Sequence, residues 1–205
     1  MHVPAVDRPL DEAEWRGFLS ATGFGHLVAG GRDRETPVAV ATQFVFDGDV
    51  VLAHVAVANP LLGALAERPR ATLCVAGDWA FVPSAWKAIG DEDPMHGIPT
   101  TYYAAVQLSG PVTVVADPDA LAGVLRRQLA ALQPGVPVAD PAGHADRLRA
   151  IRGIGLAVES VTARFKYGGN VDVAHRRAVL ARLESRGGPG DLAAAAHVRR
   201  RLLDG

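Results

Sequence analysis

The stretch VAVATQFVFDGDVVLAHVAV (38–57) contains two valine-rich apolar runs on either side of Asp47-Gly48. Asp-Gly between runs of this kind is one of the strongest short-range signals for a β-hairpin. We therefore predict two antiparallel strands, 38–46 and 50–57, that are joined at this turn.

Short apolar runs elsewhere bring the predicted total to about six strands. They are 25–30, 71–77, 103–115 with a bulge or edge at Gly110-Pro111, and 154–165 with a bulge near Glu159-Ser160. Cap residues, prolines and apolar spacing predict helices between and after these strands. The predicted helices cover 12–22 with Asp11 as the cap, 60–67, 118–132, about 144–151, about 172–186 and 191–203. This order favours an α+β fold that is mainly β, an antiparallel barrel with peripheral helices.

A polar, proline-rich stretch, AFVPSAWKAIGDEDPMHGIPTTYY (80–103), is predicted to be a long loop between two strands. A loop of this length inside a compact domain is uncommon unless it covers or lines a site. Its aromatic residues Trp86, Tyr102 and Tyr103 lie at its ends, where they could close over a flat ligand. The alternative is a surface loop whose aromatic side chains only anchor it to the core.

Composition restricts the function classes. The chain has 205 residues, a net charge of −1 and a pI near 6.6, so no broad basic surface for nucleic acid is expected. No apolar run approaches the roughly 20 residues of a membrane span, and the start lacks the pattern of a signal peptide. The one cysteine cannot form an intrachain disulfide, and the scattered histidines predict no metal site. A cytoplasmic protein is the expectation.

The turn after residue 57 is the first of two predicted anion sites. Asn59 is a favoured helix N-cap and Pro60 suits the first helical position. The amides of Leu61 and Leu62 would then be free to bind a phosphate, with His54 nearby. The alternative is an ordinary capped helix beside a packed histidine.

The segment ARFKYGGNVD (163–172) is the second predicted anion site. Arg164 and Lys166 are two residues apart on a strand, so their side chains should share a face. Gly168-Gly169 permits a tight turn, and Asn170 or Asp172 would cap the next helix. The alternative is a solvated strand end.

The arginines at 199–201 could form a basic helical face for a partner. The alternative is a helical face that is merely solvated.

Several pieces of the chain resemble the FMN-binding split-barrel proteins of the PaiB type, which are known as negative transcriptional regulators. HVAVANP (54–60) is similar to the family's H-x-A-R-A-N-P, and VPSAW (82–86) to its S-P-S-W-Y. IPTTYYAAVQLSG (98–110) resembles V-P-T-W-N-Y followed by a strand, and ARFKYGGN (163–170) resembles G-K-F-K-L-S-Q-N. The family's arginine falls on Val57 and the tryptophan of its V-P-T-W-N-Y piece falls on Thr101, so a phosphate ligand and one aromatic wall differ here.

The resemblance implies an FMN-binding split β-barrel that forms a homodimer, without a catalytic side chain of its own. Residues 1–170 would form the barrel, and 171–205 would be a helical extension packed on it. The implied function is regulatory or ligand-binding; the alternatives are a flavin-dependent oxidoreductase, a barrel that has lost flavin binding, and a DNA-binding repressor. The residues expected to bind FMN or a similar flat anionic ligand are His54, Val55, Ala58, Asn59, Leu61, Trp86, Tyr103, Arg164, Lys166 and Asn170.

Overall fold

The protein contains an eight-stranded sheet with helices before, between and after the strands. The structure, a computed structural model, describes residues 1–88 and 92–203. The strands are β1 (Phe24–Ala29), β2 (Val38–Gln43), β3 (Val45–Asp47), β4 (Val50–Ala56), β5 (Arg70–Val82), β6 (Thr100–Val115), β7 (Ile151–Ala157) and β8 (Ser160–Lys166). Their order is β2-β1-β5-β6-β7-β4-β3, and β8 pairs with β6.

Within the described residues, six α-helices accompany the sheet. They are α1 (Glu12–Thr22), α2 (Leu61–Glu67), α3 (Pro118–Leu132), α4 (Ala145–Arg149), α5 (Val173–Arg186) and α6 (Asp191–Leu203). Short 3₁₀ turns occur at Ala5–Asp7, Ser84–Trp86, Pro94–His96 and Pro141–Gly143. No helix in the described ranges is long and apolar enough to cross a membrane.

The pairings β1–β2, β1–β5, β3–β4, β4–β7 and β6–β7 are all antiparallel. The predicted α+β class with an antiparallel sheet is therefore confirmed, although the sheet has eight strands and not about six. The chain divides into two compact units, and β5 and β6 each contribute residues to both. The first unit contains Met1–Trp15, Ala76–Val106 and Thr162–Gly205, and the second contains Arg16–Val75 and Gln107–Val161.

The predicted hairpin forms at Asp47-Gly48, but its first arm is shorter than expected. Asp47 lies opposite Val50 in the β3–β4 ladder, and Gly48 adopts the positive φ of +63° that the turn requires. Residues 38–43 pair with β1 and not with β4. The chain changes partner at Phe44, whose side chain is 1% exposed, so one continuous apolar run contains two strands, β2 paired with β1 and β3 paired with β4.

The predicted loop over 80–103 was too long, because both flanking strands continue into it. In β5, the buried positions shift from Leu73 and Val75 to Ala80 and Val82. The shift occurs at Asp78, which has a φ of +49°, so the strand continues with its faces exchanged. Tyr102 and Tyr103 lie in β6 and not in a loop, and the connection between the strands is 83–99.

The run 154–165, predicted as one bulged strand, is two strands that end and begin around Val158-Glu159. The predicted bulge or edge at Gly110 is also wrong, since β6 continues through it. A Cβ at Gly110 would lie 1.8 Å from the carbonyl oxygen of Ala157, so only glycine permits this approach of two backbones.

Two predicted helix starts are confirmed by their cap hydrogen bonds. The Asp117 carboxylate accepts from the amide of Ala120 at 2.9 Å, and that of Asp172 accepts from the amide of His175 at 2.7 Å. Asp172, which follows the end of β8 closely, thereby fixes where α5 begins.

Candidate functional site

A cleft of about 450 Å³ lies in the first unit, beside the beginning of β6 and the end of β8. Thr100 and Tyr102 contribute from β6, Lys166 from β8 and Asn170 from the turn that follows. Lys87 lines the same cleft from the connection after β5. Two residues predicted from the sequence, Lys166 and Asn170, are thus brought together.

The lysine content of the chain makes this cleft distinctive. The sequence contains 21 basic residues, but only two of them are lysines, Lys87 and Lys166, and both line the cleft. The Nζ of Lys166 donates a hydrogen bond to Oγ1 of Thr100 at 2.6 Å. Within residues 1–88 and 92–203, neither lysine forms an ion pair. Burial, and then the charge of Lys166, lower the pKa of Lys87, so an anion between the two amines would be favoured.

The hydroxyl of Tyr102 adds an unused donor. Its side chain is 1% exposed, and its hydroxyl has no hydrogen-bond partner in the described structure. Burial raises the pKa of Tyr102 to about 12, so the hydroxyl keeps its proton at neutral pH. A Cβ at Gly168, where φ is +80°, would lie 2.5 Å from this hydroxyl, so the turn after β8 approaches it as only glycine can.

Two other ionisable side chains line the cleft. They are the carboxylate of Glu92 and the imidazole of His96. A further imidazole, that of His175, has its Nε2 buried without a partner in the described structure. Burial, and then the charge of Lys87, lower the pKa of His175. The cleft and its surroundings therefore combine two amines, a phenol and an amide against one carboxylate, which suits an anionic ligand.

The predicted pair of Arg164 and Lys166 does not line the cleft together. The guanidinium of Arg164 donates to the buried carboxylate of Asp7 at 2.8 Å and lies over the ring of Tyr103, 5.6 Å from its centroid. Trp86 packs in the same way under Arg186, at 4.5 Å. Arg164, Tyr103 and Trp86 are thus engaged with other side chains of the first unit.

The helix start at Asn59 lies in the second unit and has no free amides to offer. The amide of Leu61 donates to Oδ1 of Asn59 at 3.0 Å, and that of Leu62 donates to its carbonyl oxygen at 3.1 Å. The expectation that these two amides are free was therefore wrong, because Asn59 accepts from both. The N-cap position is Pro60 and not Asn59 as predicted, so Asn59 precedes the cap.

The remaining predicted residues also lie in the second unit. Val55 is buried in β4, and Ala58 is exposed just after that strand. The Nδ1 of His54 lies 2.9 Å from Oε1 of Gln128, and its ring lines a separate cavity of about 570 Å³. Where the family's arginine falls, Val57 is 44% exposed.

Of the arginines at 199–201, Arg199 and Arg200 are exposed, as the solvated-face alternative predicts, whereas Arg201 is buried. Arg201 is 5% exposed, and its guanidinium contacts both carboxylate oxygens of Glu14, at 2.8 and 3.1 Å. His197 joins this cluster, with Nε2 2.8 Å from the carboxylate of Asp78, and its ring stacks on Tyr167 at 4.5 Å. These contacts join residues of the first unit that are far apart in the sequence.

Sequence reasoning missed Lys87 and misplaced Tyr102. Lys87 lies in a stretch whose conformation has no sequence signal, but its rarity in an arginine-rich chain was visible. The burial of Tyr102 depends on the extension of β6 to Thr100, which the predicted loop concealed.

Comparisons with known proteins agree with this fold. Flavocytochrome Anf3 from Azotobacter vinelandii is similar with a TM-score of 0.60 and 23% identity, over 86% of this chain and 78% of that one. A FAD and heme binding protein from Mycobacterium smegmatis has a TM-score of 0.62 and 20% identity, over 84% and 78%. These likenesses confirm the predicted split-barrel fold. No curated protein matches the sequence.

The sequence profile of one family, described as "Putative FMN-binding domain", matches residues 1–160. The match includes His54 to Leu61, Trp86 and Tyr103, and it ends before Arg164, Lys166 and Asn170. Since it spans more than three quarters of the 205 residues, the chain belongs to this family of FMN-binding domains.

Proposed function

We propose that the protein binds FMN and that the cleft of the first unit holds the phosphate. The observation that carries this proposal is the convergence of Lys87, Lys166 and the unpartnered hydroxyl of Tyr102. Family membership supports a flavin as the ligand. A phosphate monoester carries about −1.5 to −2 charges at pH 7 and three acceptor oxygens, which two amines and a phenol can satisfy.

The residues of the cleft fit the phosphate better than the helix start at Asn59 does. The amides of Leu61 and Leu62 are already bonded, and Val57 offers no donor. In the cleft, Lys166 is held in place by Thr100, and Asn170 provides a further amide. When bound, a flavin would supply hydride or single-electron transfer, while the chain would supply binding and orientation.

The finer proposal is a homodimeric regulator of the PaiB type, in which flavin occupancy controls activity. It is supported by the similarity of HVAVANP (54–60) and ARFKYGGN (163–170) to pieces of that family. Its test is the mass of the purified protein in solution, where a monomer at micromolar concentration would contradict it. Direct binding to DNA is not proposed, since the net charge is −1.

A second candidate is a flavin-dependent oxidoreductase. It is supported by the similarity of the fold to a flavocytochrome and to a FAD and heme binding protein. Bleaching of the flavin absorbance by a reduced nicotinamide cofactor, followed by recovery with a small oxidant, would favour this function. A flavin that stays oxidised under these conditions would favour the regulator.

The experiment that tests flavin binding is a titration of the purified protein with FMN, followed by flavin fluorescence. Replacing Lys166 with Gln removes a charge-assisted contact worth about 1.5–3 kcal/mol, so affinity should fall about 10- to 100-fold. Lys87→Gln should weaken binding in the same direction. The matched control is Arg177→Gln, which removes a charge from the exposed side of α5 and should change affinity less than about twofold. Equal losses in all three variants would contradict the proposed cleft.

A further inference from the structure

We propose that the cavity of about 570 Å³ in the second unit binds a small carboxylic acid with an apolar body. The cavity is lined by β4, α3, α4 and the turn Pro141–Gly143. Its volume lies within the roughly 300–1,000 Å³ that is typical of small-ligand pockets. The proposal gives His54, which the sequence assigns to the cofactor site, a different ligand.

Leucine side chains of α3 form the apolar wall. Leu125, Leu129 and Leu132 follow each other at intervals of four and three residues, so they share one face of the helix. They are half-buried or exposed, with Leu132 at 40%, and this face is therefore not fully covered. Leu148 of α4 and Ile151 of β7 continue the wall. An apolar ligand would remove this surface from water.

A fixed polar pair lies against the apolar wall. The side chain of Gln128 is 4% exposed, and its Nε2 donates to the carbonyl oxygen of Leu52 at 3.3 Å. Its Oε1 must therefore accept from His54, so Nδ1 of the ring carries the proton and donates at 2.9 Å. In the neutral ring, Nε2 is then an acceptor, and a ligand hydroxyl or N–H can donate to it.

Arg147 provides the charge. This exposed residue lines the cavity, and its guanidinium has no hydrogen bond or ion pair to any residue in 1–88 or 92–203. By contrast, Arg149, two residues along the chain, is paired with Asp146 at 3.0 Å. No acidic residue lines the cavity in the described structure. A carboxylate suits this free guanidinium, because it can accept two parallel hydrogen bonds from it.

These three features define the ligand class. The body is aromatic or aliphatic and contacts the leucines, a hydroxyl or N–H donates to His54, and a single carboxylate pairs with Arg147. The proposed ligand differs from a flavin, because it needs no phosphate contact and uses a cavity without lysine.

The test uses two fluorescent probes that differ in charge. Anilinonaphthalene sulfonate has an aromatic body, an N–H and one anionic group, and N-phenyl-1-naphthylamine has the same body without the anion. Both should bind saturably to the folded protein, with fluorescence that rises on binding. Arg147→Gln should weaken the sulfonate about 10-fold or more and the neutral probe less than twofold. Arg149→Gln is the matched control and should change neither.

Two further variants test the apolar wall. Leu129→Arg should abolish binding of both probes, and Leu132→Arg, at an exposed position, should weaken both without affecting folding. Equal effects of Arg147→Gln and Arg149→Gln, or unchanged binding in Leu132→Arg, would overturn the proposal. Displacement of the sulfonate by FMN in competition would also overturn it and assign the cavity to the flavin. Loss of FMN binding in Lys166→Gln with intact sulfonate binding would separate the two sites.

Discussion

Arg201, near the end of α6, grips both carboxylate oxygens of Glu14 in α1, 187 positions earlier in the chain. The side chains are 5% and 1% exposed, so the pair is shielded from water. Removing one partner from a buried ion pair leaves the other charge uncompensated, which costs more than the pair contributes. The pair therefore ties the two chain ends of the first unit together.

We expect Glu14→Gln to lower the free energy of unfolding by about 3–5 kcal/mol. Urea denaturation followed by circular dichroism measures this change. The matched control is Glu184→Gln in α5, which breaks a surface ion pair with Arg199. Arg199 lies on α6, the helix that also carries Arg201. The control should cost no more than about 1 kcal/mol, since exposed pairs contribute little. Comparable losses in both variants would show that the pair with Arg201 has no special role.

The pH dependence of stability should reflect the same cluster. Burial would raise the pKa of Glu14, but the adjacent imidazole of His197 and the hydrogen bonds from Arg201 outweigh it and hold the pKa at about 2. Because the pKa is lower in the folded state, the contribution of Glu14 to the free energy of unfolding is complete above about pH 4.5 and is lost as the pH falls towards 2. We expect up to about 3 kcal/mol from this carboxylate.

His197 acts in the opposite direction. Burial lowers its pKa, but the hydrogen bond to Asp78 and the adjacent carboxylate of Glu14 outweigh this and raise it above 6.5. Its contribution is complete below pH 6.5 and declines as the pH rises through the folded-state value. Calorimetric melting temperatures from pH 3 to 8 should thus pass through a maximum between about pH 5 and 6.5. Glu14→Gln should flatten the acid side, and an unchanged acid side would refute this assignment.

We expect Trp86→Ala to weaken FMN binding less than Lys166→Gln does. Trp86 packs against Arg186, whereas Lys166 lines the cleft. Losing an aromatic wall should cost affinity severalfold, against 10- to 100-fold for the charge-assisted phosphate contact. Titration of both variants with FMN measures the order. The reverse order would make the connection after β5 the main binding element.

Restoring the family's arginine at Val57 tests where the phosphate lies. Val57 is 44% exposed, so the replacement Val57→Arg should be accommodated without loss of stability. If the cleft beside Lys166 holds the phosphate, affinity for FMN should change less than about twofold. A gain in FMN affinity of tenfold or more in the same titration would place the phosphate at the end of β4 and contradict the assignment to the cleft.

Two glycines should respond to alanine with opposite signs. At Gly110, a methyl group would collide with the backbone of Ala157, so Gly110→Ala should destabilise the protein by about 1–3 kcal/mol. At Gly123 in α3, no atom lies within 4 Å of the added methyl group. Gly123→Ala should therefore stabilise by about 0.5–1 kcal/mol, as in other helices. Thermal melts of both variants measure the signs, and destabilisation by Gly123→Ala would contradict the open space found there.

The parts of the fold that were predicted correctly depend mainly on turn and cap residues, which act over a few positions of the chain. The turn at Asp47-Gly48 joins two adjacent strands, and the caps Asp117 and Asp172 bind amides three residues away. These features therefore form as the sequence indicates. The extension of β5 could not be predicted, because the positive φ of Asp78 exchanges the faces of the strand. Residues 38–46 divide into β2, which pairs with β1, and β3, which pairs with β4. This division depends on the positions of distant strands, so it could not be read from the segment itself.

Only those residues of the candidate site that lie within one short stretch of sequence were identified from the sequence. Lys166 and Asn170 come from a single recognisable turn, whereas Lys87 lies 79 positions before Lys166 and meets it through the fold. The amide of Leu61 was predicted to be free because a cap residue and an anion site share the same sequence pattern. The division of the chain at residue 170 into barrel and extension remains a prediction.

The placement of both lysines in one cleft has a chemical consequence. Apart from the amino terminus, the chain has no other primary amine, since its remaining cationic side chains are arginines and histidines. Any acylation or carbonyl condensation directed at ε-amines must therefore occur at this cleft. Covalent modification of lysine, which on most proteins is scattered over the surface, would here fall on the two amines that are proposed to bind the phosphate.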